Sequence, residues 1–229
     1  MIGIIGAMAV EVDDLKACMS DMSIESVSGV DFYKGAIHGV DCVIARCGVG
    51  KVYAAICAQT MILRYCPSMV INTGVAGGIG KDIHIGDVVI SSGLVQHDMD
   101  TSAVGDEVGL ISGMNLVTIP AVKELVDLVE EVAQTVYDGR VHVGIIATGD
   151  QFICDAKKLK EIADRFHASA CEMEGGSIAQ VCYVNQVDFI VIRAISDNAN
   201  DAANVDFMQF AKEAAQKSAK LIDELLPKL

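Results

Sequence analysis

Short apolar runs separated by stretches of helical periodicity organise the chain from one end to the other. Ile2–Gly6 (IGIIG) reads as a strand, and a helix follows from about Ala9. Residues 32–48 (FYKGAIHGVDCVIARCG) predict a hairpin leading into another strand, and Gly50–Arg64 an alanine-rich helix. Residues 69–74 (MVINTG) and 86–96 (GDVVISSGLVQ) are strand-like and rich in β-branched residues. A helix is predicted from about Ile119, with Pro120 in its first turn and Val122, Leu125, Val126, Val129, Val132, Ala133 and Val136 on one stripe. Residues 141–149 (VHVGIIATG) predict a buried strand. A helix near Ala156–Phe166, a short strand, a helix from about Gly175 and a strand over 188–195 come next. The last helix is the most regular. Asp206 is placed to cap it, with Gln209 three residues on, and Phe207, Phe210, Ala211, Ala214, Ala215, Ser218, Leu221, Ile222 and Leu225 recur at three and four before Pro227.

Strands that alternate with helices, each run apolar on both faces, predict a three-layer αβα arrangement around a central mixed, mostly parallel twisted sheet. No linker or composition break divides residues 1–229, so a single domain is expected. In such sheets ligands sit beyond the carboxyl ends of the strands. Five predicted ends carry small or polar residues: Gly6-Ala7-Met8, Cys47-Gly48-Val49-Gly50, Asn72-Thr73-Gly74, Thr148-Gly149-Asp150 and Arg193 to Asp197. They are expected to line one rim. The last is the oddest, because an apolar run, Phe189-Ile190-Val191-Ile192, delivers an arginine and an aspartate.

Hydrophobic residues make up 52% of the chain, which raises the question of a membrane. The longest uncharged run, Tyr65–Gly80, contains Pro67, Asn72 and several glycines, so the apolar surplus belongs to a core. The amino terminus turns acidic at Glu11, unlike a secretion signal. A net charge of −14, with 17 scattered basic residues, argues against a nucleic-acid partner. Eight cysteines without a C-x-x-C pair, most within apolar runs, are expected to be reduced core thiols of a cytoplasmic protein.

Several motifs fail on inspection. GVGK (48–51) has Ala45 and Val52 where a phosphate-binding loop needs Gly and Ser or Thr, and GVAGGIG (74–80) misses the dinucleotide pattern. HDMD (97–100) has no second cluster of ligands, so it reads as a solvated loop and no metal is expected. The carboxylates are more informative. Glu11 lies just past a strand end, Glu172 and Glu174 flank Met173, and Asp197 follows the last strand. Singly, each residue reads more readily as a cap or surface charge. Gathered at one rim they supply what glycoside cleavage needs: one carboxyl to protonate the leaving group and another to activate water, with burial holding the acid protonated.

The segments GIIGAMAVEV, CGVGK, INTGVAGG, GDQFI, CEMEGGSIA and RAISDNA, in this order, resemble the successive motifs of the 5′-methylthioadenosine/S-adenosylhomocysteine nucleosidases. The resemblance implies a nucleoside phosphorylase-like fold and hydrolysis of a 5′-substituted adenine nucleoside, with methylthioadenosine, S-adenosylhomocysteine and 5′-deoxyadenosine as candidates. It implies that Asp197 protonates adenine N7, Glu11 takes a proton from the attacking water, and Arg193 orders that corner. Glu174 would bind the ribose hydroxyls, with Met173 on the sugar and Glu172 alongside. Phe152 would stack on adenine, the Ile153 backbone would read its edge and Ser196 would steady Asp197. Met8, Val49, Ala76 and Phe207 would line the rest, although Phe207 alone reads as a core residue of its stripe. A homodimer active in methionine salvage, with no cofactor, is also implied.

Three segments depart from the family pattern. Val75 stands where a small hydroxyl residue is usual. Val104 and Asp106 fall in a loop (101–109) that usually supplies aromatics across a dimer interface. Cys154-Asp155 follow Phe152-Ile153 where an Asn is common. Phosphorolysis, cleavage of another purine nucleoside such as a futalosine-type metabolite, and non-catalytic nucleoside binding are the competing readings.

Overall fold

The structure, a computed structural model, describes residues 1–198 and 203–229. Ten strands form one mixed sheet, and its chain order matches the predicted alternation closely. The strands are β1 (Ile2–Gly6), β2 (Ser20–Val27), β3 (Val30–Ile37), β4 (Val40–Arg46), β5 (Met69–Gly78), β6 (Val88–Gln96), β7 (Thr118–Pro120), β8 (Val141–Thr148), β9 (Ala168–Glu172) and β10 (Asp188–Asp197). The helices are α1 (Ala9–Ala17), α2 (Lys51–Tyr65), α3 (Lys123–Val136), α4 (Ala156–Phe166), α5 (Gly175–Asn185) and α6 (Ala203–Leu225).

Parallel ladders join β4–β1–β5–β10 and β6–β8–β9, while β2–β3, β3–β4, β10–β6, β5–β9 and β6–β7 run antiparallel. Because β10 pairs with both β5 and β6, the path β5–β9–β8–β6–β10 closes on itself. The sheet therefore curls into a small barrel, with β1 to β4 extending from one side. The closure explains why the central strands are apolar on both faces. In β10, Phe189, Val191 and Ile195 enter the core under α2 and α5, while Ile190 and Ile192 enter the one under α1, α3 and α6. Two helical layers enclose the sheet, as expected.

The differences have local causes. The helix predicted from Ile119 starts at Lys123, because residues 118–120 form a short edge strand on β6 and Pro120 ends it. Proline suits a strand end as well as a first helical turn. Strand β2 escaped prediction because its sequence, SDMSIESV, is largely exposed and lacks an apolar face. The last helix begins at Ala203, ahead of the expected cap; the Asp206 side chain lies outside the described residues, as does Ala199 of RAISDNA. Its predicted stripe is buried at Ala214, Ala215, Ser218, Leu221, Ile222 and Leu225. Of the cysteines, 42, 47, 57, 171 and 182 are buried, whereas 18, 66 and 154 are exposed, against the expectation of core thiols. No described helix is long and apolar enough to cross a membrane.

Candidate active site

The carboxyl ends of β1, β5 and β10 and the turns after β4, β8 and β9 converge on a cavity of about 130 Å³ that opens to solvent. Eleven of the thirteen expected site residues line it: Met8, Glu11, Val49, Ala76, Phe152, Glu172, Met173, Glu174, Ser196, Asp197 and Phe207. Ile153 lines an adjoining hollow that shares Gly77, Phe152, Cys171, Glu172, Met173 and Asp197 with it. Arg193 lines neither; it is 1% exposed and lies behind the carboxylates.

Glu11 occupies the first turn of α1 and turns back toward the strand end. One of its oxygens accepts the N–H groups of Ala7 (2.7 Å) and Met8 (2.8 Å), and the other accepts that of Val75 (3.1 Å). This side chain decides the glycine before Val75. A Cβ at Gly74 would lie 2.7 Å from Glu11 Oε1 and 3.4 Å from Arg193 Nη1, so the NTGVAGG segment is small there to admit the carboxylate. Burial pushes the Glu11 carboxyl above its ordinary value, opposed by Arg193 and the three N–H donors. The carboxylate is thus held in place by protein donors and short of water, a setting that favours proton uptake. Val75 contributes a backbone N–H, a contact that does not need the hydroxyl of the family pattern.

Glu172, at the end of β9, is saturated by protein donors. It accepts the Thr148 hydroxyl, the N–H groups of Glu174 (3.0 Å) and Gly175 (2.7 Å), and the Arg193 guanidinium. Arg193 Nη2 also donates to Asn72 Oδ1 (2.6 Å), whose Nδ2 donates to the Ile5 carbonyl (2.9 Å). Thr148 Oγ1 in turn accepts the Gly176 N–H at 2.7 Å. A buried polar chain thus ties β1, β5, β10, β9, β8 and α5 together. Asn72 and Thr148 are expected at the rim from their strand ends, but their linking role is not legible there; a polar side chain in an otherwise apolar strand is the signal for it. The rim of β5 is also displaced: Asn72 and Thr73 lie inside a strand that runs on to Gly78, so Val75, Ala76 and Gly77 reach the cavity instead.

Asp197 answers the puzzle of the last strand. The register of β10 against β5 shifts between Ile195 and Asp197, a bulge of the kind that re-aims a side chain. Asp197 lies buried at the cavity, with Ser196 Oγ donating to its Oδ2 at 3.0 Å. Phe152 and Phe207 meet edge to face at the mouth, with centroids 5.7 Å apart. Phe207 is therefore a lining residue of this site, beyond its place on the helical stripe. Asp155 caps α4 by accepting the N–H groups of Lys157 (2.8 Å) and Lys158 (3.1 Å), which accounts for its place after Ile153-Cys154. In the 101–109 loop, Val104 is 81% exposed and Asp106 accepts the Thr101 hydroxyl at 2.8 Å; neither lines the cavity. No cluster of metal-ligating side chains occurs among the described residues.

Glu174 carries the remaining charge. Burial first, and then the negative charge of Glu172, push it up to about 7 against the pull of Arg193 and of the Gly50 N–H. The folded protein thus holds this proton more tightly than an unfolded chain, whose carboxyl keeps the ordinary value of 4.5. The resulting stabilisation is complete below that value and is lost as pH rises through the folded value. Glu174→Gln keeps an oxygen for Gly50 and removes the charge. It is expected to exceed the wild type in stability at pH 8 by on the order of 1–3 kcal/mol, with the gap closing toward pH 5. Melting curves at the two pH values check this, and a pH-independent difference would contradict it.

The family profile described as the phosphorylase superfamily matches residues 1–227. The chain is 42% identical over 229 residues to the 5′-methylthioadenosine/S-adenosylhomocysteine nucleosidase of Shewanella sp. (strain MR-7), covering all of this chain and 97% of the relative. The crystal structure of the corresponding nucleosidase of Neisseria meningitidis, in complex with methylthio-immucillin-A, matches with a TM-score of 0.96 at 34% identity, over 100% of this chain and 99% of that one. The native futalosine hydrolase of Helicobacter pylori strain 26695 matches with a TM-score of 0.94 at 36% identity, over 100% and 97% of the two chains.

Proposed function

The chain belongs to the 5′-methylthioadenosine/S-adenosylhomocysteine nucleosidases of the phosphorylase superfamily, and from that premise we propose how its own residues cleave 5′-substituted adenine nucleosides. The enzyme hydrolyses the N-glycosidic bond to adenine and the free sugar. The observation that carries the assignment of residues is that Glu11 and Asp197, 186 positions apart in sequence (197 − 11), line one cavity.

Adenine is stacked against Phe152, with its edge toward the Ile153 backbone and N7 toward Asp197. As the C1′–N9 bond breaks, Asp197 gives its proton to N7, so the base leaves neutral and the sugar takes on oxocarbenium character. Water adds to C1′ and loses a proton to Glu11, whose carboxylate lines the same cavity. Net, one water is consumed, and the proton gained by Glu11 balances the one given up by Asp197. Arg193 and Glu172 act through their neighbours, by fixing the Glu11 and Glu174 carboxylates. Glu174 accepts the ribose hydroxyls, Met173 packs on the sugar, and Met8, Val49, Ala76 and Phe207 enclose the 5′ side. Ser196 holds Asp197. These roles use carboxyl groups and water, with no cofactor.

Neither GVAGG nor GIIGAM carries an arginine to hold phosphate, which favours water as nucleophile. Methylthioadenosine is expected to release adenine at the same rate in phosphate-free buffer and in millimolar phosphate; strict dependence on phosphate would make the enzyme a phosphorylase. A second reading, cleavage of a futalosine-type nucleoside, is favoured by the 36% identity to the futalosine hydrolase. Product analysis on substrates varied at the base and at the 5′ position separates the two.

We assign the protein to the cytoplasm, where methionine salvage would place it and where unpaired thiols persist. A homodimer is supported by exposed apolar residues on two adjoining helices, Val52, Tyr53, Ile56 and Leu63 on α2 and Tyr183 and Val184 on α5. Light scattering should give twice the chain mass of 24.2 kDa.

A further inference from the structure

Two motifs that matched no known chemistry, GVGK and HDMD, meet beside the cavity. Lys51 Nζ lies 2.6 Å from Asp98 Oδ1 and 3.3 Å from Gln96 Oε1. The other oxygen of Asp98 accepts the Asp150 N–H at 2.9 Å, and Asp150 Oδ1 accepts the Lys51 N–H at 2.8 Å. The three residues therefore close a ring of contacts from the ends of β6 and β8 to the start of α2. Within the same turn, the Gly50 N–H donates to Glu174 Oε1 at 2.8 Å. Ser177 Oγ lies 3.0 Å from the carbonyls of both Lys51 and Glu174, bolting the starts of α2 and α5 together. Gly50 has φ +100°, in the left-handed region, and a Cβ there would stand 3.1 Å from Asp150 Oδ1. The turn is thus fitted to the ring on one side and to Glu174 on the other.

We propose that the Lys51–Asp98–Asp150 ring is a positioning device for the sugar-binding carboxylate, holding the Gly50 N–H on Glu174 and so fixing both its direction and its charge. The inference rests on the assignment of Glu174 to the ribose hydroxyls made above. Glu172 from β9, Glu11 from α1 and the Cys47 thiol after β4 face Glu174, as does Arg193 from β10. The two carboxylates and burial disfavour its ionised form, while Arg193 and the Gly50 N–H favour it. Arg193 is already engaged by Glu172 and Asn72. Among the described residues the hydrogen-bond donor to the Glu174 carboxylate is the Gly50 N–H, and its placement depends on a turn. Losing it leaves Glu174 protonated to higher pH and turned from the hydroxyl groups it should accept.

Lys51→Met removes the ammonium that pairs with Asp98, and Asp98→Asn removes the charge on the other side of the contact. Each variant is expected to raise KM for methylthioadenosine at pH 7 by about three- to tenfold. Each should also move the acid limb of kcat/KM to higher pH by about half a pH unit or more. The preference for the ribonucleoside over its 2′-deoxy analogue should shrink by a similar factor, and Lys51→Arg should recover part of each change. A loss of kcat/KM equal at every pH, with the ribo-to-deoxy ratio unchanged, would reduce the ring to a structural contact and overturn the proposal. If one variant misfolds, the other makes the same test. Failure of the wild type to release adenine would remove the underlying assignment; wild-type turnover with variants that match it would remove the ring alone.

Discussion

Asp197→Asn is expected to lower kcat for methylthioadenosine by about 10²–10⁴-fold with little change in KM. Asparagine is close in shape to aspartate and still offers an oxygen to Ser196 Oγ, which donates to Asp197 Oδ2 at 3.0 Å. The bulge that aims position 197 at the cavity is a property of the backbone register between Ile195 and Asp197, so it survives the change. What is lost is the transferable proton. An amide can donate a hydrogen bond to N7, but it cannot deliver a proton as the bond to C1′ breaks, and adenine must then depart as an anion. The size of the defect should therefore depend on the leaving group. On a ribofuranoside carrying p-nitrophenolate, which departs without protonation, the variant is expected to stay within about tenfold of the wild type. Steady-state kinetics on the two substrates check this. An Asn variant that keeps more than a tenth of wild-type kcat on methylthioadenosine would dismiss Asp197 as the acid.

The position of Asp197 could be anticipated from sequence because an apolar run ending in charged residues has few structural explanations. The run Phe189–Ile192 demanded burial, and burial demanded partners for whatever followed. Strand ends alone place Glu11, Glu172 and Glu174 near the same rim, Phe152 joins them through the family resemblance, and the cavity gathers all four. The placement holds because strand ends in a largely parallel sheet converge regardless of their details. Roles that depend on a specific neighbour are less legible. Arg193 read as a site residue, yet it is enclosed behind Glu172 and Asn72 and reaches the cavity only through other side chains. Gly74 could be read as packing or as ligand approach; the neighbour that decides between them, the Glu11 carboxylate, lies more than sixty residues earlier in the chain.

Lys51 and Asp98 show the same limit from the other side. Each sits in a motif, GVGK or HDMD, that on its own fits no familiar pattern. Their common role appears only when β6 and the start of α2 are side by side. Helix starts were equally local in their failure. Ile119 and Pro120 satisfy a helical entry signal, but a free edge on β6 took those residues as strand β7 first. Propensity sets what a segment can do, and the nearest unpaired ladder sets what it does.

Glu11→Gln should produce a loss as large as Asp197→Asn, about 10²–10⁴-fold in kcat, but with a different dependence on the leaving group. The role of Glu11 is to accept a proton from the attacking water, a step that any leaving group requires. Its variant should therefore be impaired on the p-nitrophenyl ribofuranoside as well as on methylthioadenosine, and the contrast between the two variants separates acid from base. Glutamine fills nearly the same space, and one of its ends must turn an amide toward N–H donors: those of Ala7 and Met8, or that of Val75. A modest structural cost follows, and Glu11→Asp serves as the control. Aspartate retains a basic oxygen but is shorter by one methylene, so it should lose about 10–10²-fold through misplacement, with a surviving acid limb in its pH profile. In the wild type that limb is expected above the ordinary carboxyl range, because burial raises the Glu11 carboxyl and the enzyme needs it ionised. In Glu11→Gln the limb contributed by this group should vanish. A Gln variant with the wild-type pH profile and a rate within tenfold would show that the water is activated elsewhere, and the paired-carboxylate mechanism would fall with it.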